Sequence, residues 1–105
     1  MIHVVAMITA HPGQRARILE AFKANVPAVR AEAGCIEYAA TIDAQDMPPS
    51  PGSLGPDTFV VVEKWASLEA LLAHAVAPHM KAYAARVKEF TAARVIHVLE
   101  PVAMT

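Results

Sequence analysis

Phe59-Val60-Val61-Val62-Glu63-Lys64-Trp65 is a run of β-branched and aromatic residues that reads as a strand, and Ala66-Ser67 after it reads as the entry to a helix. Side chains two apart on a strand share a face, so Glu63 and Trp65 point the same way. Glu63 is the one acid of this strand, and Trp65 is the only tryptophan of the chain. Two imidazoles, His74 and His79, return from the helical region that follows. An acid, an indole and a titratable ring are therefore expected to converge on one cavity, of a kind suited to a flat organic molecule.

The segments on either side set the fold class. Residues 2–10 form a short apolar, β-branched run closed by Pro12-Gly13, which predicts a strand and a turn. Ile18, Leu19, Phe22, Val26 and Val29 recur at helical spacing, with charged residues between them, and Pro27 should bend or fray the last turns. Gly34 ends that helix. Cys35 to Ile42 reads as a second strand, with Ile36, Tyr38, Ala40 and Ile42 on one face. Asp43 to Thr58 holds four prolines and two glycines, a composition that predicts a long loop, either a lid or a surface insertion.

Beyond the third strand, Ser67 is a good N-cap for a helix whose apolar face is Leu68, Leu71, Leu72, Ala75 and Val76. Pro78 suits the first turn of a second helical piece carrying Met80, Tyr83, Ala84, Val87 and Phe90. Arg94 to Glu100 reads as the last strand, stopped by Pro101. The order is strand, helix, strand, strand, helix pair, strand. It predicts a single α+β domain over residues 1–105, a ferredoxin-like split βαβ with a four-stranded antiparallel sheet and helices on one face. The strands are apolar on both faces, yet the helices cover only one. The second face is expected to pack on another copy of the chain as a homodimer.

Composition narrows the function classes. The hydrophobic share is 55%, the charged share 18% and the net charge -1, so nothing provides the basic footprint that nucleic acid requires. A single cysteine, Cys35, excludes an internal disulfide framework and suggests a reducing, cytoplasmic setting. The apolar start is broken at His11-Pro12-Gly13, too early for a signal peptide or membrane span.

Several side chains are candidates for chemistry. His74 suits a general base, because an imidazole titrates near neutrality; structural duty at a helix end is the competing role. His79, in a helical first turn, would hydrogen-bond a substrate or Glu63. Trp65 offers a rigid wall and a donor N–H. Glu63 is costly in an apolar strand unless paired, with His79, Lys81 or Arg86 as the expected partners. A metal centre is not expected. On one continuous helix, His74 and His79, five residues apart, would point about 140° away from each other. Cys35, at the start of a strand, reads as a small buried thiol and not a nucleophile.

Ala10-His11-Pro12-Gly13, Glu32-Ala33-Gly34-Cys35-Ile36-Glu37-Tyr38, the third strand, His74, Pro78-His79-Met80-Lys81 and Val98-Leu99-Glu100-Pro101 together resemble the antibiotic biosynthesis monooxygenase domain family, within the dimeric α/β-barrel superfamily. The resemblance covers nearly the whole chain. It implies a homodimer with facing sheets and a pocket between sheet and helices in each subunit. It also implies a monooxygenase that oxidises a quinol or hydroxylated aromatic with dioxygen and uses no cofactor. His74, Trp65 and His79 are then the catalytic candidates, and Glu63, Phe22, Leu71 and Tyr83 the substrate-binding ones. Haem-degrading members carry an asparagine in the first strand where this chain reads Val5-Ala6-Met7-Ile8, which argues against haem. The alternative is a non-oxygenase of the same superfamily: a ligand-binding or stress-response module, or an isomerase or cyclase of an enolisable substrate.

Overall fold

In the computed structural model, which describes residues 1–104, the elements follow the predicted order. They are β1 (Ile2–Ala10), α1 (Arg15–Arg30), β2 (Cys35–Thr41), β3 (Thr58–Trp65), α2 (Leu68–Ala75), α3 (Pro78–Val87), a 3₁₀ turn (Lys88–Phe90) and β4 (Thr91–Leu99). The four strands make one antiparallel sheet in the order β2-β3-β1-β4. This is the ferredoxin-like α+β arrangement.

Register decides which side chains meet. Ile2, Val4, Ala6 and Ile8 lie opposite Trp65, Glu63, Val61 and Phe59, on the face beneath the helices. Val4, Phe59 and Trp65 there are almost wholly buried, as are Ile18 and Val29 of α1. Each such side chain contributes about 1.5–3 kcal/mol through removal from water. Strand β2 departs from the expected alternation. Its register shifts between Cys35 and Glu37, so Cys35 pairs with Trp65 and Tyr38 with Glu63. Ile36 is the residue squeezed out, and it is half exposed, whereas Tyr38 is buried. A bulge of this kind re-aims the side chains after it.

The helices also differ in detail from expectation. Helix α1 runs through Pro27 to Arg30. Pro27 lies on the exposed side, where a missing hydrogen bond is tolerated. Helix α2 starts as predicted, with Ala70 N–H donating to Ser67 Oγ at 3.1 Å. Its expected apolar face is not the buried one: Leu68, Leu72 and Val76 are 51%, 57% and 64% exposed, and His74 is the buried residue. Only Ala70 and Leu71 of its apolar residues lean on the core.

The connection from β2 to β3 has no regular structure over most of its length but is tied at its base. Asp43 accepts hydrogen bonds from Leu54 N–H and Gly55 N–H, both at 2.9 Å. Arg15 donates to the Gly55 and Thr58 carbonyls at 3.1 Å, and Asp57 accepts from Gly13 N–H at 2.9 Å.

The face away from the helices carries Val5, Met7, Val60, Val62, Val95 and Leu99, and β4 is exposed on both faces. The radius of gyration is 14.5 Å, above the roughly 13 Å expected of a compact chain this long. Among the described residues no helix is long and apolar enough to cross a membrane.

Candidate active site

Four segments bring five polar or aromatic side chains together at one end of the sheet. Strand β3 ends with Glu63 and Trp65 on the buried face, and Trp65 Nε1–H donates to Glu63 Oε1 at 2.9 Å. Glu63 Oε1 lies 3.9 Å from His74 Nε2 at the end of α2. The other nitrogen of that ring, Nδ1, is 2.8 Å from Glu32 Oε2. His79 Nε2, from the first turn of α3, is also 2.8 Å from that same oxygen. The result is a continuous polar chain, Trp65–Glu63–His74–Glu32–His79, running from the core toward the surface. Its side-chain exposure rises from 6% at His74 through 13% at Glu32 to 29% at His79.

Local structure explains the convergence. Val76 and Ala77 separate α2 from α3, so the two histidines are not on one helix and the 140° projection does not apply. Both rings face one carboxylate. Glu32 is delivered by the α1–β2 turn, which docks against α2. The Gly34 carbonyl accepts Ala66 N–H at 2.8 Å, and a Cβ on Gly34 would sit 2.6 Å from Ala70 Cβ. Gly34 also has φ +83°, a conformation that side chains disfavour.

Aromatic rings wall this chain in. His74 lies against Trp65 with centroids 4.6 Å apart and meets Tyr38 edge-on at 5.6 Å. Tyr38 stacks on Phe22 at 4.9 Å, and Phe22 meets Tyr83 edge-on at 6.3 Å. Burial pushes the Glu63 carboxyl above its usual range, with nearby Glu32 adding to the rise; the Trp65 N–H and His74 oppose it without cancelling it. Burial likewise raises Tyr38, and it lifts the Tyr83 phenol to about 12 against the pull of Arg94. The Cys35 thiol is raised by burial and by Glu32 and Glu63, which keeps it in the inert, protonated form.

Trp65 is fully buried, and two clefts open away from the indole rather than beside it as expected. A groove of about 710 Å³ runs between α1 and β2, bordered by Leu19, Phe22, Val26, Arg30 and Ala40. A smaller cleft of about 330 Å³ is bordered by Ile8, Ile18, Tyr83, Ala84, Val87 and Arg94. Neither is lined by Trp65, Glu63, His74 or His79.

Comparison with known proteins adds a second line. The sequence profile described as "Antibiotic biosynthesis monooxygenase" matches residues 1–86. The chain belongs to that family. An Escherichia coli (strain K12) relative named "Probable quinol monooxygenase YgiN" is 40% identical over 103 residues, covering 96% of this chain and 98% of that one. The solved structure of PA3566 from Pseudomonas aeruginosa is 26% identical, with TM-score 0.79 over 97% of this chain and 94% of that chain. That of Rv0793 from Mycobacterium tuberculosis is 26% identical, with TM-score 0.78 over 98% and 96%.

Against this family background the sequence-predicted residues divide. Glu63, Trp65, His74 and His79 join one polar chain, though Glu63 accepts from Trp65 and lies 3.9 Å from His74, and its expected partners His79, Lys81 and Arg86 do not pair with it. Phe22 and Tyr83 border the two clefts, and Leu71 packs on the core from α2. Glu32 is the residue that spacing did not identify as part of the site. It stood within the Glu32-Ala33-Gly34 stretch that carries the family resemblance, but no periodicity linked it to histidines more than forty residues away.

Proposed function

We propose that this protein is a monooxygenase that oxidises a quinol or related hydroxylated aromatic with dioxygen, without a cofactor, and that it works as a cytoplasmic homodimer. The observation that carries this reading is the buried acid–imidazole chain from Trp65 to His79, found in a member of this family. The name of the E. coli relative supports the substrate class.

A quinol and dioxygen give a hydroxyquinone and water, so the substrate supplies every electron. The protein's share is to bind the ring, accept its proton, stabilise the anion and exclude water. His74 is the base in this reading. Glu32 holds Nδ1, which fixes the ring and favours the imidazolium that forms when Nε2 takes a proton. Glu63 stands behind Nε2, and His79, sharing the Glu32 oxygen, offers the exit toward solvent. Trp65 and Tyr38 are the flat walls beside His74, and Tyr38 is the side chain that must turn aside to admit a ring. Phe22 and Tyr83 divide the two clefts and are the first aromatic surfaces a substrate would meet. The smaller cleft falls in the range typical of small-ligand sites.

Support for the homodimer comes from the open sheet face and from β4. Val95 and Leu99, on the open face, are each about half exposed, apolar side chains that a second sheet would cover; Ile96 and Val98, on the other face of the same strand, are equally exposed. The single unpaired cysteine supports the reducing compartment.

The deciding measurement is oxygen uptake by metal-stripped protein across a panel of hydroquinones, with spontaneous oxidation subtracted. Turnover above background that falls about 10²-fold or more in His74→Ala supports the proposal. A raised KM in Tyr83→Ala or in Phe22→Ala identifies which cleft seats the ring. No protein-dependent uptake with any quinol, or turnover indifferent to His74→Ala, overturns it.

A further inference from the structure

We propose that Glu32, His74 and His79 form a binding site for one divalent transition-metal ion of the zinc class, a property that uses the same side chains as the proposed proton path but does not depend on quinol oxidation. The three groups come from the α1–β2 turn, the end of α2 and the first turn of α3. One donor atom from each lies within 4.8 Å of the others. Both imidazole nitrogens stand 2.8 Å from Glu32 Oε2. Ligands about 2.0–2.2 Å from an ion sit about 3 Å apart at right angles and about 3.4 Å apart at tetrahedral angles. Seating an ion therefore asks each nitrogen to part from Glu32 Oε2 by a few tenths of an ångström, and the two nitrogens, which lie within 4.8 Å of each other, to settle about 3.4 Å apart. In the meantime their mutual hydrogen bonds hold the site assembled. Two imidazoles and one carboxylate suit zinc, cobalt or nickel, whereas calcium and magnesium require mostly oxygen ligands.

The surroundings supply an independent observation. An imidazole that ligates a metal commonly gives its other N–H to a carboxylate, which fixes the ring and its tautomer. When an ion takes His74 Nδ1, the proton resides on Nε2, and that atom faces Glu63 Oε1 at 3.9 Å. Glu63 is itself held by Trp65 Nε1–H. A hydrogen-bond contraction of under 1 Å completes this outer support. The gradient of exposure, lowest at His74 and highest at His79, leaves the remaining coordination positions open to water on the α3 side.

The test is titration of metal-stripped protein with Co²⁺ alone at neutral pH, read by visible absorption, followed by displacement with Zn²⁺. The expected result is one Co²⁺ per chain, with a d–d band more intense than that of the aqua ion and abolished by one equivalent of Zn²⁺. His79→Ala and Glu32→Gln should each weaken binding at least about tenfold, while His97→Ala, on the open face of β4, leaves it unchanged. A spectrum that stays that of the aqua ion overturns the site. So does a band that survives both variants, or one that His97→Ala removes as well. If Glu32→Gln does not fold, His79→Ala decides alone, because that side chain is partly exposed. Absence of quinol oxidation would have no bearing on this titration.

Discussion

Glu63 and Trp65 hold each other, and each is costly without the other. Trp65→Ala removes a fully buried indole and should cost about 3–5 kcal/mol in denaturant unfolding. Trp65→Phe keeps most of the volume but strips Glu63 of its donor, for about 1–3 kcal/mol. The acid also carries a pH signature. Its folded pKa lies above the ordinary 4.5, so the folded chain keeps a proton that the unfolded chain has released. That contribution is complete below about pH 4.5 and is lost as pH rises through the folded value. Glu63→Gln preserves a carbonyl acceptor for the indole and removes the titration. Its thermal melts should fall less than those of the wild type across that window. That Glu63 and Trp65 share a face was legible in the sequence because a period of two is local; their hydrogen bond was not, since the expected partners of Glu63 were His79, Lys81 and Arg86. The union of Glu32 with two histidines was not, because it depends on a turn docking against a distant helix.

Elements are joined here by a few backbone contacts. The α1–β2 turn rests on α2 at Gly34, where an added Cβ meets both positive φ and the Ala70 methyl. Gly34→Ala should therefore cost about 2–4 kcal/mol by thermal unfolding, combining backbone strain with overpacking. It should also draw Glu32 away from both rings. The helix boundaries were largely readable, from Ser67 as a cap and Pro78 as a first-turn residue. The angle between His74 and His79 was misjudged because it assumed a helix continuous across the Val76–Ala77 break. Leu68 and Leu72 of α2 face solvent, while Leu71 meets the core as expected, because a short helix at the end of a sheet has little core to face. The β2–β3 loop, rich in proline and glycine, reads as free chain, yet its base is fastened by Asp43. Two backbone N–H groups hold that carboxyl below its ordinary value. Its contribution is present above the unfolded pKa near 3.8 and disappears as pH falls through the lower folded one. Asp43→Ala should speed amide exchange at Leu54 and Gly55 at neutral pH, with little change in the global melting temperature.

At the scale of the molecule, the excess of apolar residues over what one small domain can bury was visible from composition, and the sheet shows where it lies. Val95 and Leu99 share the open face of β4 with Met7 of β1 close by. A charge there should be inexpensive for a lone chain and prohibitive at an apolar interface. If the proposed homodimer forms, the unaltered protein should elute as a dimer in size-exclusion chromatography with light scattering and Val95→Asp as a monomer, with its circular dichroism unchanged. The strand order has a consequence for synthesis. Strand β1 sits between β3 and β4, so it is made before either neighbour and must wait for Thr58–Trp65 and then Thr91–Leu99. Until then its backbone is paired only with water, and a nascent chain stalled before Thr91 would present a sticky edge to chaperones.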